Sequence, residues 1–152
     1  MRDKYVFSDA QSLGALTSTG VVSSNVFDME LDASGGNTII ENDQIVGVVN
    51  IIIPANANQI VATGMYIDLL SNDNADMTTG TEVIIRSVFV SMAELAAGCI
   101  KSIEITKQLA QSFVGLWYRA ASTTITTGNT VDAYWSTAPL TENDAIQKVA
   151  SR

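Results

Sequence analysis

Residues 44 to 53 read QIVGVVNIII, a run in which apolar side chains occupy both odd and even positions. Isoleucine and valine favour extended backbone, and successive side chains of a strand point to opposite faces. A strand that is apolar on both faces has to be covered on both faces. The run therefore predicts a strand inside a layered structure, with its cover supplied by a second sheet or by a partner subunit.

Other segments of the chain also have the composition of strands, and helical periodicity is nearly absent. Residues 25 to 31, NVFDMEL, alternate apolar and acidic side chains, which indicates one buried and one solvated face. Together the segments give about eight antiparallel strands, at the spacing of an all-β sandwich or barrel. They lie at residues 5–7, 25–31, 44–53, 59–71, 82–91, 99–107, 113–121 and 130–138. Alternation assigns to the core Val61, Met65, Ile67, Leu69, Ile103 and Ile105.

Two short segments are predicted to be helical. Ser91 and Glu94 have the spacing of a capping box, and Gly98 matches the left-handed glycine that ends many helices. A helical turn is therefore expected at residues 92–97. In the tail, PLTENDAIQKVASR, a capping pattern that begins at Thr141 predicts a short C-terminal helix.

The composition indicates one globular domain. A chain of 152 residues with 47% hydrophobic content can bury a single core. We predict a β-sandwich domain at residues 1–138, which includes an amino-terminal arm at 1–20, and a C-terminal tail at 139–152. The net charge of -8 repels phosphate backbones and anionic lipids, and the longest apolar run, 45–55, is too short to span a bilayer. We therefore expect neither nucleic-acid nor membrane partners.

The sequence carries no recognisable catalytic or metal-binding pattern. Without histidine it lacks the commonest general base, and its single cysteine, Cys99, cannot form an internal disulfide or a Cys/His zinc site. Cys99 is predicted to be a small buried hydrophobe. Residues 72–83 resemble a calcium loop, but Met77 and Val83 replace its glycine and final glutamate, so an ordinary polar turn is expected. We predict a protein that is not an enzyme and binds no cofactor or metal.

The two tryptophans lie on the arms of an apparent hairpin formed by residues 112–138. If this hairpin turns about Thr126, Trp117 and Trp135 are a cross-strand pair on one face, alongside Arg119. Three roles remain open for them: core residues, anchors of a contact with another protein, or a sugar-stacking platform. A sugar site usually adds polar side chains near the rings, and only Asp132 is close in sequence.

Four motifs in the chain occur in the same order as in a known family. They are VFSDAQSL at 6–13, SSNVFDM at 23–29, LAAGCIKSIEI at 95–105, and a closing LWYRA at 116–120 with TTGNTVDAYW at 126–135. With the long apolar strand between them, they resemble the jelly-roll capsid cement proteins of short-tailed bacteriophages. The similarity extends from Tyr5 to Thr137.

The resemblance implies a jelly-roll β-sandwich that is a non-enzymatic decoration protein. Such a protein is made in the host bacterial cytoplasm, forms a homo-dimer or homo-trimer, and binds the major capsid protein on the outer surface of the head, where it bridges capsomers. Its contact candidates are the aromatic segments and the amino-terminal arm, which we expect to reach a neighbour as a strap. The candidate contact residues are Phe7, Ser8, Asp9, Gln11, Trp117, Arg119, Tyr134 and Trp135.

A jelly roll also serves other functions, so one alternative stays open. The chain is then a carbohydrate- or receptor-binding module of a phage tail or head fibre. The exposure of the aromatic residues distinguishes a sugar-binding module from a decoration protein, because a sugar site requires exposed rings in the isolated protein.

Overall fold

The computed structural model describes residues 6–28, 40–41, 44–56, 64–108, 112–121, 125–126 and 130–136. Within these ranges the chain forms twelve strands and one helix. The strands are β1 (Val6–Ser12), β2 (Ala15–Leu16), β3 (Val21–Val22), β4 (Phe27–Asp28), β5 (Ile40–Glu41), β6 (Gln44–Ile53), β7 (Gly64–Asn72), β8 (Glu82–Ser91), β9 (Cys99–Gln108), β10 (Phe113–Ala120), β11 (Ile125–Thr126) and β12 (Thr130–Ser136). The helix is α1 (Met92–Ala97).

Ten of the strands form two antiparallel sheets, which we call the inner-arm sheet and the aromatic sheet, and β2 pairs with β11 in a separate two-stranded sheet. The inner-arm sheet has the order β1-β12-β6-β9, with β5 paired to the start of β6. The aromatic sheet has the order β3-β10-β7-β8, and β4 extends the β3 side of β10. With β3 and β4 counted as one interrupted strand, this is the jelly-roll arrangement of two four-stranded sheets. The prediction of an all-β, jelly-roll-like sandwich is confirmed.

The core lies between the sheets and follows the alternation of the strands. Met65, Ile67 and Leu69 of β7 point into it, as do Ile103 and Ile105 of β9, so these predictions are confirmed. Val61 lies outside the described residues.

Residues 48–53 of β6 are buried on both faces, as their sequence requires. Its core-facing residues alternate with Val48, Asn50 and Ile52, and these three are at most 6% exposed. The second sheet covers one face of this segment, and the other face is also buried within the single chain.

The predicted helical turn is present as α1. The side chain of Ser91 accepts a hydrogen bond from the backbone N–H of Glu94, and the Glu94 carboxylate accepts one from the backbone N–H of Ser91. Gly98 has φ 83° and ψ 148°, so it is not the left-handed helical residue that was expected. A Cβ there would lie 2.8 Å from the backbone N of Ala55, which explains the glycine. No helix in the described ranges is long and apolar enough to span a membrane.

The hairpin predicted from residues 112–138 is wrong. Strand β10 pairs with β7 in the aromatic sheet, whereas β12 pairs with β1 and β6 in the inner-arm sheet. Alternation shows that each strand has a buried face, but it does not show which sheet the strand joins. Trp117 and Trp135 are therefore not a cross-strand pair. The predicted C-terminal helix and tail lie outside the described residues.

Candidate functional site

The outer surface of the aromatic sheet carries a group of partly exposed large side chains. The group consists of Tyr66, Phe89, Trp117 and Arg119, and we call it the aromatic face. Trp117 and Arg119 point outward because the residues between and beside them on β10 are core residues. The strand register then places Tyr66 of β7 opposite both Arg119 and Phe89.

The aromatic face is held together by direct contacts between its side chains. The rings of Tyr66 and Phe89 have centroids 5.2 Å apart with planes inclined at 55°, a favourable tilted arrangement. The Arg119 guanidinium carbon lies 4.6 Å from the centroid of the Tyr66 ring, within the range of a cation–π contact. Phe89 keeps 43% of its surface exposed. The site is therefore an ordered aromatic surface that still faces solvent.

Asp68 neutralises and orients Arg119 from beneath the aromatic face. Arg119 Nε donates a hydrogen bond to Asp68 Oδ2 at 2.6 Å, and Ser87 Oγ donates one to Asp68 Oδ1. Asp68 is buried and the Arg119 side chain is 35% exposed. The carboxylate thus fixes the guanidinium in position over the Tyr66 ring and leaves the face without net charge.

Trp117 has a structural contact as well as an exposed part. Its indole Nε1 donates a hydrogen bond to the backbone oxygen of Thr19 at 2.7 Å. A Cβ on Gly20 would lie 2.1 Å from the same nitrogen, so the ring packs directly on the glycine backbone. Trp117 therefore holds this loop against β10 and presents only part of its ring to solvent.

Trp135 belongs to the core, which corrects its assignment as a contact residue. It is 8% exposed and its ring stacks on Phe7, with centroids 5.9 Å apart. Phe27 packs on both rings. The side chain points inward because Val131 and Ala133 on the same strand do.

The predicted strap is a strand of the domain's own sheet. Val6–Ser12 pairs with β12, and Phe7 and Ser8 are completely buried, so neither of these two contact candidates reaches a neighbour. Gln11 is half-buried and donates its side-chain amide to the backbone oxygen of Val22 at 2.8 Å. Asp9 is exposed, and its role as a contact residue stays a prediction.

A buried hydrogen bond links β1 to β10 across the core. Ser8 Oγ donates to Gln11 Oε1 at 2.6 Å and lies 2.8 Å from the hydroxyl of Tyr118. Because the single serine proton is donated to Gln11, Tyr118 is the donor to Ser8. Burial raises the pKa of Tyr118, so the phenol is neutral. Sequence patterning did not identify this pair, because 110 residues separate its members.

Tyr134 and Asp132 lie on the outer side of the inner-arm sheet, whereas the aromatic face lies on the other sheet. Tyr134 is half-buried and stands opposite Val6 and Asn50. Asp132 is buried and accepts a hydrogen bond from the backbone N–H of Ala10 at 2.9 Å. Asp132 therefore does not accompany Trp117, and the contact role of Tyr134 stays a prediction for a different surface.

The polar turn at residues 73–80 uses its carboxylates to bind its own backbone. Asp76 Oδ1 accepts hydrogen bonds from the N–H groups of Thr78 and Thr79, each at 2.9 Å. The side-chain hydrogen bond from Thr79, followed by these backbone bonds, lowers the pKa of Asp76. Asp73 accepts a hydrogen bond from the N–H of Thr81 at 2.7 Å. The segment is a turn whose carboxylates are hydrogen-bonded to its own backbone.

No protein-family model matches the chain, and no curated protein matches it significantly. The aromatic face of the jelly roll is therefore the feature from which a function is inferred.

Proposed function

We propose that this chain is a non-enzymatic structural protein of a bacteriophage virion, a decoration protein that binds the outer surface of the head and bridges capsomers. The motifs quoted from residues 6–13, 23–29, 95–105 and 116–135 support the proposal through their resemblance to capsid cement proteins. The observation that carries it in the structure is the aromatic face on one sheet of the jelly roll.

The aromatic face has the chemistry of a protein-binding surface. Tyrosine, tryptophan, phenylalanine and arginine are the residues enriched in the centres of protein interfaces. Tyr66, Phe89 and Arg119 are ordered by their mutual contacts, so little side-chain entropy is lost when a partner covers them. The Asp68 carboxylate already neutralises Arg119, so no unpaired charge has to be desolvated.

A co-sedimentation experiment tests whether this face binds a head. Purified protein is mixed with heads that lack it, and the bound fraction is measured against protein concentration. Arg119→Ala removes the cation–π contact and leaves Asp68 without its arginine, so we expect the apparent Kd to rise about tenfold or more. Lys101→Ala on β9 removes the same charge away from the aromatic face, and this control is expected to bind like the unmodified protein.

Two results count against the assignment. Failure of the unmodified protein to bind any head would contradict the proposed function. Equal weakening by Arg119→Ala and Lys101→Ala would show that net charge, rather than the aromatic face, determines binding. Near-ultraviolet circular dichroism of each variant establishes that it is folded before binding is compared.

Binding of a carbohydrate is a second candidate, and one observation favours it. Arg119 is partly exposed beside Trp117 and is held in place by the buried Asp68, so an ordered guanidinium accompanies the partly exposed rings. Sugar sites combine such rings with polar side chains. Titration with bacterial surface polysaccharides, followed by tryptophan emission, tests this directly. A saturable change that Trp117→Phe abolishes supports the sugar site, and an unchanged spectrum at millimolar saccharide contradicts it.

A further inference from the structure

Strand β8 is a long edge strand. It has ten residues and pairs with β7 on one side. On its other side no strand pairs with it among the residues that the structure describes. An edge of this length presents a row of backbone N–H and C=O groups, which is a template for pairing with another strand.

A β-bulge places the two most exposed large hydrophobic residues of β8 on the same face. Leu69 is opposite Arg86 and Leu70 is opposite Ile84, so Ile85 is an extra residue in β8. In a regular strand Ile84 and Phe89 would point to opposite faces, because their residue numbers differ by an odd number. The bulge reverses this, and both lie on the outer face, where they are 47% and 43% exposed.

The arrangement of β8 is symmetric about its centre. The bulge gives Ile85 and Arg86 a single register position, so Ser87 is two register positions from Ile84 and two from Phe89. If a second β8 pairs antiparallel about a twofold axis through Ser87, Ile84 of each copy stands opposite Phe89 of the other. The side chains of two residues that pair across strands must point to the same face of the sheet. The bulge satisfies this condition for Ile84 and Phe89.

The core-facing residues satisfy the same register. Val83 stands opposite Val90 of the second copy, and the bulged pair Ile85 and Arg86 stands opposite Val88. Val90 is buried, and Ile85 and Val88 pack against the core. The same twofold axis therefore matches apolar residues on both faces of the extended sheet.

The charges near β8 suit a second copy of this acidic chain. On β7, β8 and β10 the acidic residues Asp68 and Glu82 are balanced by Arg86 and Arg119, although the whole chain has a net charge of -8. Two acidic molecules repel each other least where the local charge is zero. We therefore propose that two copies of this chain form a twofold dimer through antiparallel pairing of their β8 strands, with Ile84 of each copy packed on Phe89 of the other.

Sedimentation of the isolated chain tests the dimer independently of any phage head. The unmodified protein is expected to sediment as a dimer at micromolar concentration. Ile84→Lys places a charge on the pairing edge and is expected to raise the dimer Kd about tenfold or more. Val21→Lys is the matched control, because Val21 is 37% exposed on β3 at the opposite side of the same sheet. This variant is expected to remain a dimer.

Cross-linking tests the register even where Ile84→Lys fails to fold. In a Cys99→Ser background, Ile84→Cys and Phe89→Cys are expected to form a disulfide when the two variants are mixed and oxidised. Each variant alone is expected to remain largely uncross-linked, because residue 84 does not face residue 84 of the second copy.

Three results overturn the proposal. They are a monomer at about 100 μM, which is well above the micromolar concentration at which the dimer is expected, a dimer unaffected by Ile84→Lys, and equal cross-linking in mixed and unmixed samples. A monomer that still binds heads would overturn this dimer and leave the proposed function intact.

Discussion

The indole ring of Trp135 stacks on the phenyl ring of Phe7, with their planes 21° apart. The two residues lie on β12 and β1, the last and first strands described, which are neighbours in the inner-arm sheet. The contact therefore attaches the amino-terminal segment to the core of its own domain. The two tryptophans consequently have different roles, which stability measurements can separate.

Trp135→Ala is expected to destabilise the fold more than Trp117→Ala. Removing the buried Trp135 ring leaves a cavity beside Phe7, which costs about 3–5 kcal/mol. Trp117→Ala removes a partly exposed ring and its hydrogen bond to Thr19, for a loss of about 1–2 kcal/mol. Urea unfolding measured at equilibrium gives both values. Equal losses would contradict the burial difference between the two rings.

Acrylamide quenching should distinguish the two indoles in the folded protein. Because Trp135 is almost fully buried and Trp117 is partly exposed, we expect one protected and one accessible class of emission. Trp117→Phe is expected to leave only the protected class. Retention of strong quenching in this variant would show that Trp135 is accessible.

Tyr118 is expected to make the stability of the protein sensitive to alkaline pH. Burial raises the pKa of Tyr118, so the folded state retains this proton to higher pH than the unfolded chain. Its contribution is fully present below the ordinary tyrosine pKa of about 10 and is lost as the pH rises above it. Tyr118→Phe should lose about 1 kcal/mol at neutral pH with the hydrogen bond to Ser8.

The alkaline comparison is made in a Cys99→Ser background, since that thiol titrates in the same range. Above pH 10 the free energy of unfolding of Tyr118→Phe should fall less steeply than that of the Tyr118 protein. Parallel curves would show that the phenol has no raised pKa in the folded state.

Cys99 should react slowly with thiol reagents while the protein is folded. The thiol is half-buried rather than fully buried, and desolvation, with a smaller effect of Glu94, raises its pKa to about 11. The reactive thiolate is therefore scarce at pH 8. Iodoacetamide labelling followed by mass spectrometry should be much faster in urea than in buffer. Equal rates would show that Cys99 is neither desolvated nor protected.

Local patterns in the sequence predicted the individual elements well. Residues 44–53 and 82–91 form β6 and β8 with the expected bounds, and the Ser91–Glu94 capping box begins α1. These features depend on alternation and on spacings of three residues, which neighbouring positions reveal. The helical turn and the core positions of β9 were predictable for the same reason.

Long-range pairing was not predictable in the same way. The aromatic face requires Tyr66, Phe89 and Arg119 to meet across three strands, and the pairing of β7 with β8 is interrupted by the bulge at Ile85. Nothing in the sequence near these residues specifies that register. The same limit explains why β10 and β12 were paired with each other, although the jelly-roll topology places them in opposite sheets.

Quantitative mass spectrometry of purified virions tests the central claim most directly. The measured quantity is the copy number of this chain relative to the major capsid protein. If this chain is a decoration protein that covers the whole head, the expected ratio is close to one or to a simple fraction of one. A handful of copies per particle, or none, would contradict the account.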